Sequence, residues 1–199
     1  EYPNYYFRNI KNKNDLTAVT SFENPFKSIQ NVHKEVITYK REDGLELQGT
    51  LYLPVGYDKE KKEKMPMILW AYPREFKDKN SASQNTTNPN EFIYPYVVLD
   101  DAAFPIVGEG DEQPNDTFRT QLVGNAKAAI DAVDKMGYID RNRVGVGGHS
   151  YGAFMVANLL SHSNLFAAGI ARSGAYNRTL TPFGFQSEER SYWDSPETY

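Results

Sequence analysis

Two pairs of short segments with alternating apolar and polar residues open the chain. Residues 5–10 and 16–20 flank a polar stretch, which predicts a hairpin with a loose loop. Residues 34–41 and 45–53 alternate on either side of Glu42-Asp43-Gly44. Asp-Gly between two alternating runs is a strong hairpin signal, because the tight turn requires residues that tolerate a positive φ. The amino-terminal part is therefore predicted to form two β-hairpins.

From Met65 onward the pattern changes to continuous apolar runs and helical periodicity. The predicted elements are, in order, strands at 67–71 and 96–99, a helix from about 116 to 136, a strand at 143–148, a helix at 153–160 and a strand at 167–171. A polar loop is expected between residues 74 and 95. This order predicts an α/β fold, with a mostly parallel sheet and helices on both faces.

A glycine-rich turn between a predicted strand and a predicted helix carries a nucleophilic side chain. Gly148-His149-Ser150-Tyr151-Gly152 has the pattern G-x-S-x-G. In such an elbow the serine lies on a cramped turn that pushes its hydroxyl above the sheet, and Gly148 and Gly152 provide the room. The helix start directs N–H groups and partial positive charge at the site, so the N–H of Tyr151 is a candidate oxyanion donor. The pattern predicts Ser150 as the nucleophile of a serine hydrolase.

Composition narrows the possible classes of function. The net charge is -4 and the lysine-rich run at 59–64 is interrupted by glutamates, which argues against nucleic-acid binding. The absence of cysteine excludes disulfides, thiolate metal sites and a cysteine nucleophile. No apolar run approaches the ~20 residues needed to cross a bilayer, so no membrane partner is expected. The acidic loop at 108–115 has no calcium-binding spacing, and neither a metal nor a cofactor is expected.

A serine nucleophile needs a base, and the base needs an orienting carboxylate. The three histidines are His33, His149 and His162. His33 precedes the nucleophile, whereas this type of site has the chain order serine, acid, histidine. His149 is committed to the turn, and His162 lies about 18 Å along the helix axis from the elbow at 1.5 Å per residue. Asp194 lies in a polar tail with no strand before it, so the sequence predicts the nucleophile without its acid and base.

Several stretches resemble one family of serine peptidases. Residues 147–155, preceded by Asp140-Arg141-Asn142-Arg143, are similar to the elbow of the prolyl oligopeptidase family. Residues 171–186 resemble its glutamyl endopeptidase branch, and residues 70–76 and 108–111 agree. The resemblance covers essentially the whole chain. It implies an α/β-hydrolase domain joined to a β-propeller, with peptides as substrates.

The resemblance also implies a domain organisation. Residues 1–30 would be the end of a propeller blade with its linker, and residues 31–199 the amino-terminal part of the peptidase domain. The family's acid and base lie on strand-end loops beyond Tyr199. The fold is therefore expected to be truncated after the nucleophile half and the fragment to be inactive alone. Its expected partners are the missing carboxy-terminal part of the domain and the propeller.

Three side chains outside the elbow receive roles from the resemblance. Tyr72 follows a buried strand, where the family's tyrosine donates its hydroxyl to the oxyanion. Residues 176–186 would wall the pocket for the residue before the cleaved bond, so Arg178 is the candidate partner of a substrate carboxylate and Arg172 the runner-up. The plainer alternatives are a tyrosine that caps the core and arginines that are solvated or paired structurally.

The expected function is hydrolysis of peptide bonds by acyl transfer through Ser150, with cleavage after Glu or Asp as the finer expectation. An esterase or acyl-aminoacyl hydrolase is an alternative, since these enzymes share the elbow. A non-catalytic interaction module of the same fold is another. The sequence does not fix the compartment; removal of an upstream signal would indicate the periplasm or secretion.

Overall fold

The computed structural model describes residues 4–24, 27–82, 96–185 and 188–195. The chain divides into two compact units, Glu1–Asn31 and Val32–Tyr199. In the first unit β1 (Tyr6–Arg8) and β2 (Leu16–Ala18) pair antiparallel, and a 3-10 turn spans Lys27–Ile29. The side chain of Asn4 bonds Thr20 and Phe22 beside this pair. The predicted first hairpin is confirmed.

The second unit is built on a six-stranded sheet in the order β3-β4-β6-β5-β7-β8. Its strands are β3 (His33–Lys40), β4 (Glu46–Leu53), β5 (Met65–Phe76), β6 (Val97–Val107), β7 (Ile139–His149) and β8 (Ala168–Arg172). The β3–β4 and β4–β6 pairs are antiparallel, whereas β6, β5, β7 and β8 pair parallel. The mostly parallel sheet predicted from the pattern is confirmed.

The hairpin of β3 and β4 forms around the predicted turn. Pairing runs from His33 opposite Leu53 to Lys40 opposite Glu46. Gly44 has a φ of 85°, a left-handed conformation that glycine adopts without steric cost. Arg41, beside this turn, is buried and donates to the Asn125 side chain at 2.9 Å. This bond anchors the hairpin to the helix that carries Asn125.

Within the described residues, three α-helices accompany the sheet: α1 (Lys79–Ala82), α2 (Phe118–Met136) and α3 (Tyr151–His162). The predicted end of the long helix α2 is confirmed, because Gly137 caps it with a φ of 85°. The apolar stripe of α2 is buried, as are most of the first residues of α3. Phe118 contacts both Tyr151 and Phe154 at ring-centre distances of 5.9 Å. The two long helices therefore lie on the same face of the sheet.

Strands β5 and β6 are longer than the sequence predicted. A polar loop was expected from residue 74, but β5 continues to Phe76 and β6 reaches Val107. Beyond an irregularity between Leu69 and Ala71, the two strands pair up to Phe76 opposite Val107. Backbone pairing with a neighbouring strand extends β5 through polar side chains that a hydrophobic pattern does not register. Residues 83–95 of the expected loop lie outside the described residues.

Candidate active site

Ser150 forms the sharp turn between β7 and α3, as the sequence predicted. Its backbone has φ 57° and ψ -115°. Such conformations cost a non-glycine residue about 1–3 kcal/mol and persist only where the surroundings impose them. The N–H of Ser150 donates to the carbonyl of Arg172 on β8 at 2.9 Å, and its carbonyl accepts from Ala153 and Phe154 at 3.0 and 3.3 Å. The turn is thus held by backbone bonds on both sides of the serine.

Close backbone contacts require the two glycines of the motif. A Cβ atom added to Gly148 would lie 2.4 Å from the carbonyl carbon of Gly152. A Cβ atom on Gly152 would lie 2.8 Å from the carbonyl oxygen of Ala71 on β5. Real Cβ atoms essentially never approach backbone that closely, so a side chain at either position would push the elbow out of place. The packing of α3 against β5 and β7 therefore depends on these glycines.

The side chain of Ser150 is half-buried at the amino-terminal end of α3. Within the described ranges its hydroxyl forms no hydrogen bond, and the N–H of Tyr151 donates to no acceptor. A helix start carries partial positive charge and N–H groups without partners inside the helix. An acyl group attached at Ser150 would meet this N–H, which is the chemistry expected of an oxyanion site.

Two side chains of β5 border the elbow. Tyr72 is 43% exposed, and its ring meets that of Tyr151 edge-on at 6.0 Å. Its Cδ2 atom lies 3.6 Å from the position of a Cβ on Gly152, which places the ring beside the start of α3. Glu75 accepts a 2.9 Å hydrogen bond from the Tyr151 hydroxyl. Burial, with a further contribution from Glu75, raises the pKa of Tyr151, so this phenol stays a neutral donor.

Of the two candidate arginines, Arg178 packs against the elbow helix. It is 4% exposed, and its guanidinium carbon lies 4.0 Å from the ring centre of Phe154 and 3.8 Å from that of Phe185. Cation–π attraction between a desolvated guanidinium and each ring favours this arrangement. The Arg172 side chain is exposed, and this residue contributes to the elbow through its carbonyl. The structure thus places Arg178 against Phe154, in the first turn of the helix that begins directly after Ser150.

A partly buried ion cluster lies beside this region, and no sequence pattern predicted it. Arg190 donates to Glu188 from Nε and Nη2 at 2.9 and 2.8 Å, and from Nη1 to Asp116 at 2.5 Å. Asn115 and Ser195 also donate to Glu188. Burial pushes the pKa of Glu188 up, but the bonds from Arg190 and Asn115 outweigh it and lower the pKa to about 2. Hydrogen bonding from Arg190 also lowers the pKa of Asp116.

Across the described parts of the chain, none of the histidine rings is bonded to Ser150. His33 pairs with Glu35, His149 is exposed, and the His162 ring bonds the carbonyl of Asn158. In those same parts no three His, Cys, Asp or Glu side chains are grouped as a metal site would need. No helix there is long and apolar enough to span a membrane.

A mostly parallel sheet with a strained serine between a central strand and a buried helix defines the α/β-hydrolase fold. Residues 119–199 match the family model described as "Prolyl oligopeptidase family". The chain is 48% identical over 197 residues to a protein of Arabidopsis thaliana named "Probable glutamyl endopeptidase, chloroplastic". It is 45% identical over 207 residues to a protein of that name from Oryza sativa subsp. japonica. The chain belongs to the prolyl oligopeptidase family.

The matched regions cover 92% and 98% of this chain but only 20% and 22% of those relatives. The chain thus spans about a fifth of the length of the curated relatives it matches. Among solved structures, Porphyromonas gingivalis dipeptidyl peptidase 4 matches with a TM-score of 0.58 at 20% identity. That match covers 85% of this chain and 25% of the solved one, and it supports the fold.

Replacing Gly148 by alanine tests the packing of the elbow. We expect Gly148→Ala to lower the free energy of unfolding by about 3 kcal/mol or more, because the new Cβ overlaps the backbone of Gly152. Gly145→Ala, also on β7, is the matched control: its Cβ would make an ordinary 3.6 Å contact, and we expect a change within about 1 kcal/mol. Urea denaturation of both variants measures the difference; equal effects would contradict the described packing.

Proposed function

We propose that this chain is the nucleophile-bearing part of a serine peptidase domain within a longer protein. The protein hydrolyses peptide bonds by acyl transfer through Ser150. The observation that carries the proposal is the strained conformation of Ser150 at the start of α3, beside the N–H of Tyr151. Membership of the prolyl oligopeptidase family supports a peptide as the substrate.

The geometry suits the following sequence of steps. The Ser150 oxygen attacks the carbonyl carbon of the peptide bond while a general base removes its proton. The negative charge that develops on the carbonyl oxygen is stabilised by the N–H of Tyr151 and the hydroxyl of Tyr72. The proton passes to the leaving amine, and the acyl group remains on Ser150 as an ester. Water, deprotonated by the same base, then releases the acid and restores the serine.

The base and its orienting carboxylate are proposed to lie outside the 199 residues. None of the three histidines forms a hydrogen bond with Ser150, and Asp194 accepts one from Ser191 in the carboxy-terminal segment. On this proposal the chain by itself has no turnover by the triad route. Residues 1–30 are proposed to be the end of a propeller blade with its linker, and residues 31–199 part of the hydrolase domain; the division of the chain into two units after Asn31 supports this boundary.

Cleavage after Glu or Asp is the finer part of the proposal, with Arg178 as the group that recognises the substrate carboxylate. Its guanidinium carbon lies over the rings of Phe154 and Phe185, at 4.0 and 3.8 Å from their centres, so two aromatic side chains hold the fork. A planar fork held in this way suits a bidentate bond with a carboxylate. The names of the two plant relatives also support this preference.

Substitution of the nucleophile tests the peptidase proposal. In the full-length protein, we expect Ser150→Ala to reduce peptide hydrolysis by a factor of about 10⁴ or more, because the acyl-enzyme route is lost. Parallel assays with peptide and ester substrates separate a peptidase from an esterase. Peptide hydrolysis that survives the substitution would rule out Ser150 as the nucleophile, and hydrolysis of esters alone would favour the esterase alternative.

Removing one hydroxyl tests the proposed role of Tyr72. Tyr72→Phe should lower kcat for peptides by about 10²–10³-fold, with a smaller change in KM, because the bond to the oxyanion forms mainly in the transition state. Tyr57→Phe is the control, since this hydroxyl bonds the carbonyl of Glu63. If the two variants have the same kcat, Tyr72 is an aromatic cap and no oxyanion donor.

The third substitution addresses specificity. Arg178→Gln should reduce kcat/KM for a substrate with Glu before the cleaved bond by about 10²-fold, since a charged bidentate pair is lost. The corresponding Gln substrate should lose less than about fivefold. Arg172→Gln provides the comparison with the runner-up. Equal losses on both substrates would remove Arg178 from this role, and a selective loss in Arg172→Gln would transfer the role to Arg172.

A further inference from the structure

We propose that the ion cluster of Glu188, Arg190 and Asp116 is a positioning device for Arg178. It holds Phe185, one of the two rings that contact the guanidinium, and so it sets the preference of the site for an acidic substrate residue. This inference rests on the proposed function and adds residues that contact neither the nucleophile nor the proposed substrate carboxylate.

Two backbone hydrogen bonds link the cluster to Phe185. The N–H of Phe185 donates to the carbonyl of Glu188 at 2.8 Å, and the N–H of Glu188 donates back to the carbonyl of Phe185 at 3.1 Å. This pair of bonds joins the two residues as a tight antiparallel bridge. The interactions that hold Glu188 therefore also hold the backbone of Phe185. The ring centre of Phe185 lies 3.8 Å from the guanidinium carbon of Arg178.

Hydrogen bonds from three side chains hold Glu188. Its carboxylate is 7% exposed and accepts bonds from Arg190, Asn115 and Ser195. Arg190 also bonds Asp116, which lies 74 positions earlier in the short turn before α2. Hydrogen bonds between ionised groups are stronger and more directional than neutral ones. The cluster thus ties the segment that carries Phe185 to the start of α2.

The start of α2 and the elbow helix are also in contact, which completes a closed path around Arg178. Phe118, the first residue of α2, packs on Phe154 of the elbow helix, and Phe154 is the second ring that contacts the Arg178 guanidinium. Phe118 lies two positions after Asp116, a member of the cluster. The cluster holds Phe185, which returns to Arg178. Phe154 thus lies on α3, and Phe185 is tied through the cluster to the start of α2. Loss of the cluster would loosen Phe185 and would leave Phe154 and the elbow in place.

Arg190→Met in the full-length protein tests the inference, with paired substrates that carry Glu or Gln before the cleaved bond. We expect the Glu-to-Gln ratio of kcat/KM to fall about tenfold, mainly through a higher KM for the Glu substrate. Values for the Gln substrate should stay within about threefold of the parent. Arg190→Lys, which keeps the charge but loses the planar fork, should recover part of the ratio.

Arg141→Met is the matched control. Arg141 also bridges two carboxylates of α2, at 2.6 Å from Asp131 and 3.2 Å from Asp134, but it does so at the far end of that helix. We expect it to leave the Glu-to-Gln ratio unchanged. Hydrogen exchange gives a second readout: Arg190→Met should speed exchange at residues 178–185, and Arg141→Met should not.

Each outcome decides a different point. A parent protein with no preference for Glu would refute the proposed specificity and the inference with it. A preference that survives Arg190→Met, or equal losses on both substrates, would refute the inference alone. If Arg190→Met does not fold, Asp116→Asn keeps an oxygen acceptor while removing one charge, and a smaller fall in the same ratio is expected. An unchanged ratio in that folded variant would also overturn the inference.

Discussion

The conformation of Ser150 is the constraint on which the rest of the site depends. A residue with a side chain does not favour a φ of 57°, and here the bond to the Arg172 carbonyl and the first turn of α3 impose it. The same turn brings α3 so close to β5 and β7 that positions 148 and 152 have no space for a Cβ. Strain at one residue and close packing at two others are thus parts of one local geometry.

This geometry also places the groups around Ser150. Tyr151 and Phe154 lie three positions apart on α3 and therefore share a face, where their rings stack at 5.9 Å. One of these residues is held by Glu75 of β5, and the other carries Arg178 on its ring. The first turn of α3 therefore serves two purposes: its N–H groups face Ser150, and its aromatic side chains support Arg178.

The sequence allowed the local parts of this arrangement to be predicted. The hairpin at Asp43-Gly44, the helix end at Gly137 and the elbow around Ser150 depend on neighbouring residues, so short patterns are sufficient. Contacts between distant residues have no such signal: Glu75 meets Tyr151 across 76 positions, and Asp116 meets Arg190 across 74. These residues meet only in the folded chain, so no short pattern in a single sequence predicts the pairs.

The fold holds the hydroxyl of Ser150, the proposed nucleophile, at the start of α3. Covalent labelling of the folded full-length protein with a fluorophosphonate, followed by mass spectrometry of its peptides, tests this most directly. The account predicts one adduct, on the peptide that contains Ser150, and its loss when the protein is unfolded in urea before the reagent is added. An adduct on another residue, or equal labelling of the unfolded protein, would contradict the account.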